Sequence, residues 1–293
     1  MRPVCRMAPE ANARVAAVVV SYNSASTLQA CLDALLAEND VAEVCVVDNG
    51  SRDESLALLR ARAEREPRLS VQQLFDNPGF AAGCNRGAAQ THAPILLFIN
   101  PDVVLQAGSV LRLLARLAQH PALGVLSADL HDENGLRDLA ARRSDLSAAR
   151  MLRGWGARHA LSVPVDTSVS VQTVEACSGA LMLVPRAVFE AVAGWDEGYR
   201  LHVEDLDFCR RVRAAGFDVA VANDVPALHL RGVSSKRRPF FVEWHKHLGL
   251  WRYWRRFEGE SAGLIACSMV IMALAARLLL LGWPRAVMQR LRG

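Results

Sequence analysis

Short apolar runs alternate with amphipathic stretches through the first 120 residues. Residues 15–20, 44–47 and 95–99 are unbroken apolar runs, and with 69–75 they read as strands. Between them, 27–37 places Leu28, Cys31, Leu32 and Leu35 on one helical face. A second helical stretch covers 55–64, and a third, 109–120, follows the strand at 95–99. Runs that are apolar throughout belong to strands covered on both faces. The pattern therefore predicts an α/β domain whose mostly parallel sheet is flanked by helices. Periodicity is lost over 130–172, which is rich in Arg, Asp, Ser and Gly and reads as loops. It returns at 180–184, an apolar run, at 185–193, a helix stopped by Gly194, and at 204–215, a helix stopped by Gly216. Residues 240–257 mix aromatic and basic side chains, and 262–283 is the most hydrophobic stretch of the chain.

In an open parallel sheet, ligands bind beyond the carboxyl ends of the strands. Three such ends carry polar residues: Ser21-Tyr22-Asn23, Asp48-Asn49-Gly50-Ser51 and Asn100-Pro101-Asp102. Taken singly, the second is a turn. The third is either a strand stop with Asp102 capping a helix or a ligand site. Taken together behind parallel strands, they would converge and aim Asp48 and Asp102 at one ligand. The stretch from Asn77-Pro78-Gly79-Phe80 through Asn85 to Gly87 has glycines at 79, 83 and 87. They permit a tight turn or close approach of backbone to a ligand, or simply a packed loop. A helix starting there would offer N–H groups to phosphate. No Gly-x-Gly-x-x-Gly follows the first strand and no Gly-Lys-Ser/Thr occurs, which argues against a dinucleotide site and a P-loop.

A second acidic group, Glu204-Asp205-Leu206-Asp207, opens the helix at 204–215, after Gly194-Trp195-Asp196-Glu197. The helix dipole favours carboxylates there, and Asp207 can pair with Arg211 one turn on. Asp205 and Asp207 lie two residues apart and point to different sides, so one can be structural while the other faces the crevice. His229 alone is a structural histidine, and a ligand candidate only as part of the wider pattern.

The 293 residues suffice for one large α/β domain with an appendage, or two small domains. With 52% hydrophobic and 22% charged residues the core is substantial, and a net charge of +4 is too mild to argue for nucleic acid. The cations are nearly all Arg; Lys occurs only at 236 and 246. Seven cysteines, an odd number with no Cys-x-x-Cys, argue against a disulfide framework or a zinc site and for a reducing compartment. Residues 1–13 read as a loose leader without signal-peptide features.

The stretches Val18-Val19-Val20-Ser21-Tyr22-Asn23-Ser24, Val46-Val47-Asp48-Asn49-Gly50-Ser51, Asn77-Pro78-Gly79-Phe80, Phe98-Ile99-Asn100-Pro101-Asp102, Ser178-Gly179-Ala180 and Gly194-Trp195-Asp196-Glu197 through Asp207 occur in that order. Together they resemble glycosyltransferase family 2, inverting enzymes of the GT-A fold, over residues 15–235. Within the family they are most similar to bacterial rhamnosyltransferase-type members acting on lipid-linked cell-surface glycans. The resemblance implies a Rossmann-like GT-A domain over 14–239 and a C-terminal helical appendage over 240–293. It implies transfer of a sugar, such as rhamnose, from a UDP- or dTDP-linked donor to a hydroxyl of a glycan or lipid-linked acceptor, with Mg²⁺ or Mn²⁺. Ser21, Tyr22 and Asn23 would lie beside base and ribose, and Asp48 would accept from the base imide N–H. Asn77, Gly79, Phe80, Asn85, Asn100, Trp195 and Glu204 would line the substrate site. Asp102 and His229 would hold the metal, and Asp205 would be the catalytic base. Asn100 departs from the family's acidic first position, which leaves one carboxylate fewer and makes His229 the partner of Asp102.

Residues 262–283 are long enough to cross a bilayer, but Arg277 interrupts them. Trp244, Trp251, Tyr253 and Trp254, mixed with Arg252, Arg255 and Arg256, suit a membrane interface. The tail is therefore expected to attach to a membrane surface, at the inner face of the cell membrane. A buried helix pair closing the core, or a homodimer contact, is the alternative. Two rival functions use similar parts. A sugar nucleotidyltransferase is disfavoured by the lack of glycine in Ser21-Tyr22-Asn23-Ser24. A non-catalytic membrane-associated scaffold is disfavoured by the presence of Asp48, Asp102 and Asp205.

Overall fold

The computed structural model describes residues 14–146, 161–230, 239–259, 262–284 and 287–288. The leader at 1–13 lies outside the described residues, as do 147–160 of the irregular stretch and the arginines at 285, 290 and 292.

The first half is a run of strand–helix units: β1 (Val15–Ser21), α1 (Ala25–Ala37), β2 (Val41–Asp48), α2 (Ser55–Ala63), β3 (Leu69–Gln73), α3 (Phe80–Ala89) and β4 (Ile95–Ile99). These strands pair in parallel in the order β3-β2-β1-β4. Every residue of β1 and β4 is buried, as a strand covered on both faces requires. On one face the core holds Leu28, Leu35, Leu59 and Leu113; on the other it holds Cys84, Phe98, Phe208 and Tyr253.

The second half comprises β5 (Val103–Leu105), α4 (Ser109–Gln119), β6 (Leu123–His131), β7 (Arg142–Arg143), β8 (Val171–Val174), β9 (Ala176–Cys177), β10 (Leu181–Pro185), α5 (Arg186–Ala191), α6 (Glu204–Ala214) and β11 (Asp218–His229). Here the pairing is mixed. β10 runs antiparallel to both β4 and β6, while β11 is parallel to β6 and antiparallel to β5 and β8. β10 directly follows the short strands β8 and β9, with no crossover helix between them, so nothing obliges it to keep the heading of the first strands. Nine strands form this sheet, and β7 and β9 form a separate two-stranded ribbon. Asn100-Pro101-Asp102 leads into β5, not into a helix, so Asp102 caps none.

Two of the three glycines in the Asn77–Gly87 stretch serve packing. A Cβ on Gly83 would lie 2.7 Å from Val20 Cγ1, and one on Gly87 would lie 2.4 Å from Val18 Cγ1. Both press α3 onto β1. Gly79, at φ +106°, is the turn residue.

The chain ends in α7 (Pro239–Phe257) and α8 (Leu264–Arg277), the latter continued by a π-helical turn, Leu278–Gly282. Tyr253 and Trp254 of α7 are buried. Arg252 and Arg256 both grip Asp196, at 2.8 and 2.6 Å. α7 is thus fastened to the sheet domain, while much of α8 faces outward.

Gly87→Ala tests the packing. Alanine normally favours a helix interior by about 1 kcal/mol over glycine. At this position the methyl overlaps a stiff Val18, and overpacking of this kind costs about 1–3 kcal/mol. Urea unfolding is expected to show net destabilisation.

Candidate active site

The carboxyl ends of β1 and β2 are laced together by their turns. The Asn23 N–H donates to Ser51 Oγ at 2.9 Å, the Arg52 N–H to Asn23 Oδ1 at 2.7 Å, and the Asn49 N–H to the Ser21 carbonyl at 2.8 Å. Asp48 is enclosed: it is 0% exposed, and its two oxygens accept from the Ser51 N–H (2.9 Å) and hydroxyl (2.5 Å). The turn that would lie beside a base is thus ordered by Asp48 through Ser51. Ser21 is likewise fully buried, and Tyr22 and Asn23 are the partly exposed members of the first turn. Asn77 Oδ1 accepts from the Gly79 N–H at 3.1 Å, and the Gly79 carbonyl accepts from Asn49 Nδ2 at 3.0 Å, which ties the third segment to the second turn. A side chain at 79 would come within 2.8 Å of the Arg200 carbonyl.

β4 ends in Asn100-Pro101-Asp102. Register brings a partner to Asp102: β5 pairs antiparallel with β11, and Val103 faces His229. His229 Nε2 then lies 3.6 Å from Asp102 Oδ1, while Nδ1 lies 3.1 Å from Asp138 Oδ2. With its Nδ1–H donated to Asp138, the ring turns an Nε2 lone pair toward Asp102. An oxygen and a nitrogen donor then face each other beyond hydrogen-bond reach, with a carboxylate fixing the imidazole from behind. This is the donor arrangement that metal-binding histidines use. No group of three or more His, Cys, Asp or Glu side chains suited to a metal occurs among the described residues. A cation here would need the remaining ligands from diphosphate and water, which a hard divalent ion accepts.

Asp205 reaches the same end of the sheet from α6. Its Oδ2 accepts from the Gly179 N–H at 3.1 Å, and the next residue, Ala180, accepts the Asn100 N–H at 2.8 Å as β10 meets β4. Phe80 lies against the same point: a Cβ on Gly179 would sit 3.3 Å from Asp205 Cβ and 3.7 Å from Phe80 Cε1. The turn before α6 is strained, with His202 at φ +65° and Val203 at +73°; a β-branched residue rarely takes such a φ. The two acids separate as their spacing requires. Asp207 is 0% exposed and structural, bound by Arg211 (2.5 Å), Tyr199 (3.2 Å) and Arg256 (3.2 Å). Asp205 is paired with Arg143 at 2.5 Å. Burial raises its pKa, but the Arg143 charge and hydrogen bond, with the Gly179 N–H, outweigh burial and hold it below the usual Asp value. Glu204 goes the other way: burial, then the Asp205 charge, push it up to about 8.

Two residues expected on the substrate surface are engaged elsewhere. Asn85 uses both ends of its amide on the Trp195 backbone, accepting from N–H at 2.9 Å and donating to C=O at 2.9 Å. Trp195 is 2% exposed, stacked on Phe208 at 4.5 Å and edge-on to Phe80 and Phe98. Their role is to hold the loop before α6. Conversely, Arg143, Asp138 and Ser51 carry contacts that periodicity does not flag. The first two lie in the irregular stretch and touch Asp205 and His229 from across the chain.

Arg143 is held in place by a buried ionic network on its neighbour. Arg142, 3% exposed, binds Asp129 at 2.8 Å and Asn223 at 2.5 Å. Asp129 also accepts from His131 (2.8 Å) and Arg137 (2.9 Å). Burial raises its pKa, but these three donors bring it below the ordinary Asp value.

A family model described as Glycosyl transferase family 2 matches residues 16–170. The chain is 27% identical to the N-acetylglucosaminyl-diphospho-decaprenol L-rhamnosyltransferase of Mycobacterium tuberculosis, over 80% of this chain and 85% of that protein. It is 28% identical to rhamnosyltransferase WbbL of Escherichia coli, over 51% of this chain and 58% of that protein. Among solved structures it resembles mannosyltransferase PcManGT of Pyrobaculum calidifontis in complex with GDP-Man and Mn²⁺, with a TM-score of 0.59 at 18% identity, covering 97% of this chain and 75% of that one. It also resembles S. aureus TarS 1-349, with a TM-score of 0.56 at 15% identity, covering 92% of this chain and 72% of that one. The architecture is the GT-A sheet flanked by helices.

Asp129→Asn removes the charge that compensates buried Arg142, and breaking such a pair costs about 3–5 kcal/mol. A carboxylate with a depressed folded-state pKa stabilises above its unfolded value and loses that contribution as pH falls through the folded one. The stability gap between wild type and variant, measured by urea unfolding, is expected to be widest at neutral pH and to narrow below about pH 4.

Proposed function

The chain belongs to glycosyl transferase family 2, and we propose that it moves rhamnose from a dTDP- or UDP-linked donor to a hydroxyl of a lipid-linked glycan. Membership makes it a glycosyltransferase and removes the nucleotidyltransferase alternative. The sugar and acceptor rest on the names of relatives that cover most of the chain. The observation that carries the mechanism is the meeting of β4 and β10, which sets the Asp205 side chain beside the strand end that bears Asp102.

In this reading the base and ribose lie against Tyr22, Asn23 and the Asp48–Ser51 turn, with Asp48 ordering the turn through Ser51. Asp102 and His229 hold a Mg²⁺ or Mn²⁺ ion, and Asp138 fixes the imidazole. When bound, the ion supplies positive charge to the departing diphosphate. Asp205 takes the proton of the acceptor hydroxyl at Oδ1, because Oδ2 is occupied by Arg143 and Gly179. As that proton leaves, the oxygen bonds to the anomeric carbon from the face opposite the diphosphate, whose bond to the same carbon breaks, and the centre inverts. Residues 14–239 form the catalytic unit and 240–293 the appendage that brings it to its acceptor.

The appendage supports a membrane-surface enzyme facing the cytoplasm. Leu264–Gly282 has a mean hydropathy of 2.5, and little of it is buried. Leu264, Ile265, Met269, Met272 and Leu280 point outward, joined by Phe240, Phe241 and Trp244 of α7. Arg277, the charge that interrupts the stretch, turns inward to His247 Nε2 at 3.0 Å. The outer face is therefore left apolar, as in helices that lie in a membrane interface.

Two experiments test this. In the first, UDP-, dTDP- and GDP-sugars are scored for hydrolysis and transfer with and without Mg²⁺ or Mn²⁺. Metal-dependent turnover of dTDP-rhamnose is expected, with Asp102→Asn losing the metal dependence. Asp205→Asn should fall about 100-fold or more while retaining nucleotide binding in a thermal-shift assay. Near-normal turnover by Asp205→Asn would remove the base assignment. In the second, the intact chain is floated with liposomes containing anionic lipid. Co-flotation is expected, reduced by Met269→Glu with Met272→Glu. A chain that stays in the bottom fraction as a detergent-independent dimer would assign this face to self-association.

A further inference from the structure

We propose that Arg143 is a positioning residue for the proton acceptor: it fixes the Asp205 carboxylate and keeps it charged, so that Asp205 rather than the adjacent Glu204 receives the acceptor's proton. This rests on Asp205 being the base. Arg143 belongs to β7, whose partner strand β9 holds Cys177. One guanidinium nitrogen, Nη2, donates to Cys177 C=O at 2.6 Å and to Asp205 Oδ2 at 2.5 Å. Both side chains of the pair are largely buried, at 16% and 15% exposure. Nη2 is therefore anchored to backbone on one side and to the carboxylate on the other, while Nε has no partner among the described residues. The Gly179 N–H fills the rest of Oδ2, and the Leu206 N–H takes one side of Oδ1. A single direction of approach to the carboxylate remains, through Oδ1.

Glu204 is the competing base. It neighbours Asp205 in sequence, and its Oε2 is buried and without a partner among the described residues. Two adjacent buried carboxyls cannot both ionise cheaply, and the group that has a cation keeps the charge. The charged and titratable groups around Asp205 are Arg143 from β7, Glu204 beside it and His202 from the preceding turn; Cys177 and Cys209 lie against Arg143. Arg143 is the fixed cation among them, and its bond goes to Asp205. Glu204, raised to about 8 by burial and then by the Asp205 charge, is the member of the pair that keeps its proton. The pairing weakens Asp205 as a base but keeps it ionised. That suits a hydroxyl whose proton becomes acidic only as its oxygen bonds to the anomeric carbon. The proton passes from the hydroxyl to Oδ1 and afterwards to water.

The test compares wild type, Arg143→Met, Arg143→Lys and Asp205→Asn, with dTDP-rhamnose as donor and a short prenyl-diphospho-N-acetylglucosamine as acceptor. For wild type, the acid limb of kcat/KM is expected below about pH 5, near or under an ordinary Asp. In Arg143→Met it moves up by about one pH unit or more, so on the acid side of both limbs the loss is about tenfold greater than at pH 8.5. Donor KM should change by less than about twofold, because the pair does not face the nucleotide turns. Arg143→Lys should recover part of the limb. In urea unfolding, Asp205→Asn should regain part of the midpoint lost in Arg143→Met, as expected when a buried charge has lost its partner. An equal loss at every pH with an unmoved limb, additive midpoints, or a wild-type limb above about pH 6 overturns the proposal. If Arg143→Met does not fold, Arg143→Gln and the wild-type limb decide it. Failure of the base reading is distinct: Asp205→Asn would then remain active whatever Arg143 does.

Discussion

The antiparallel meeting of β4 and β10 is the constraint on which the rest of the molecule depends. A purely parallel sheet would carry the chain from β4 through another crossover and leave the later acids on a separate edge. Instead β10 returns against β4, with Leu181 opposite Ile99, and its preceding Ser178-Gly179-Ala180 turn lands on the polar end of β4. One backbone bond, from the Asn100 N–H to Ala180 C=O, closes the two halves. The Gly179 N–H then reaches Asp205 on α6. A glycine belongs there because a Cβ would come within 3.3 Å of the Asp205 side chain. The Asp102 end of the site is set by a similar register, β5 against β11, which delivers His229.

Around that junction the carboxylates differ both in depth and in partners. Asp48, Asp129 and Asp207 are all essentially unexposed, and each has its charge compensated or its lone pairs filled by neighbouring donors. They fix turns and helices. Asp102 and Asp205 are less enclosed: Asp102 faces His229 Nε2 at 3.6 Å, and Asp205 accepts from Arg143 and the Gly179 N–H at Oδ2 and from the Leu206 N–H at Oδ1.

Much of this was legible in the sequence. Three unbroken apolar runs and the stretch 69–75 predicted the four parallel strands, and polar residues follow three of them at one end of the sheet. The two-residue offset of Asp205 and Asp207 predicted that they point to different sides, and they do, toward Arg143 and Arg211. The limits are equally physical. Periodicity reports which face of an element is buried, and β7 and β9 are two residues each, too short to have a period. Arg143 and Asp138, which orient Asp205 and His229, therefore sat unmarked in a stretch that reads as loop. Asn85 and the glycines at 83 and 87 were open to two readings for a different reason. Amide side chains and small residues suit a ligand and a close protein contact equally well, and only the fold says which one arrives. The enclosure of Asp48 is also a tertiary outcome, set by the packing of its turn against its neighbours.

The position of α7 gives the appendage a mechanical link to α6. Gly249 lets α7 approach so closely that a Cβ there would sit 3.1 Å from the His202 carbonyl and 3.2 Å from Val203, the two strained residues before α6. One turn further along, Arg252 lies over the Tyr199 ring and pairs with Asp196. The same helix that shows Phe240, Phe241 and Trp244 to its surroundings thus pins, with its other face, the turn that aims Asp205. Strain of this kind persists only where packing over-determines it, and α7 supplies that packing. If the apolar face rests on lipid, the surface that carries the acceptor and the helix that carries the base are separated by one rigid element. Orientation of the enzyme on the membrane and orientation of the carboxylate toward the acceptor would then be a single geometric problem, solved by the packing of α7 against residues 196–203.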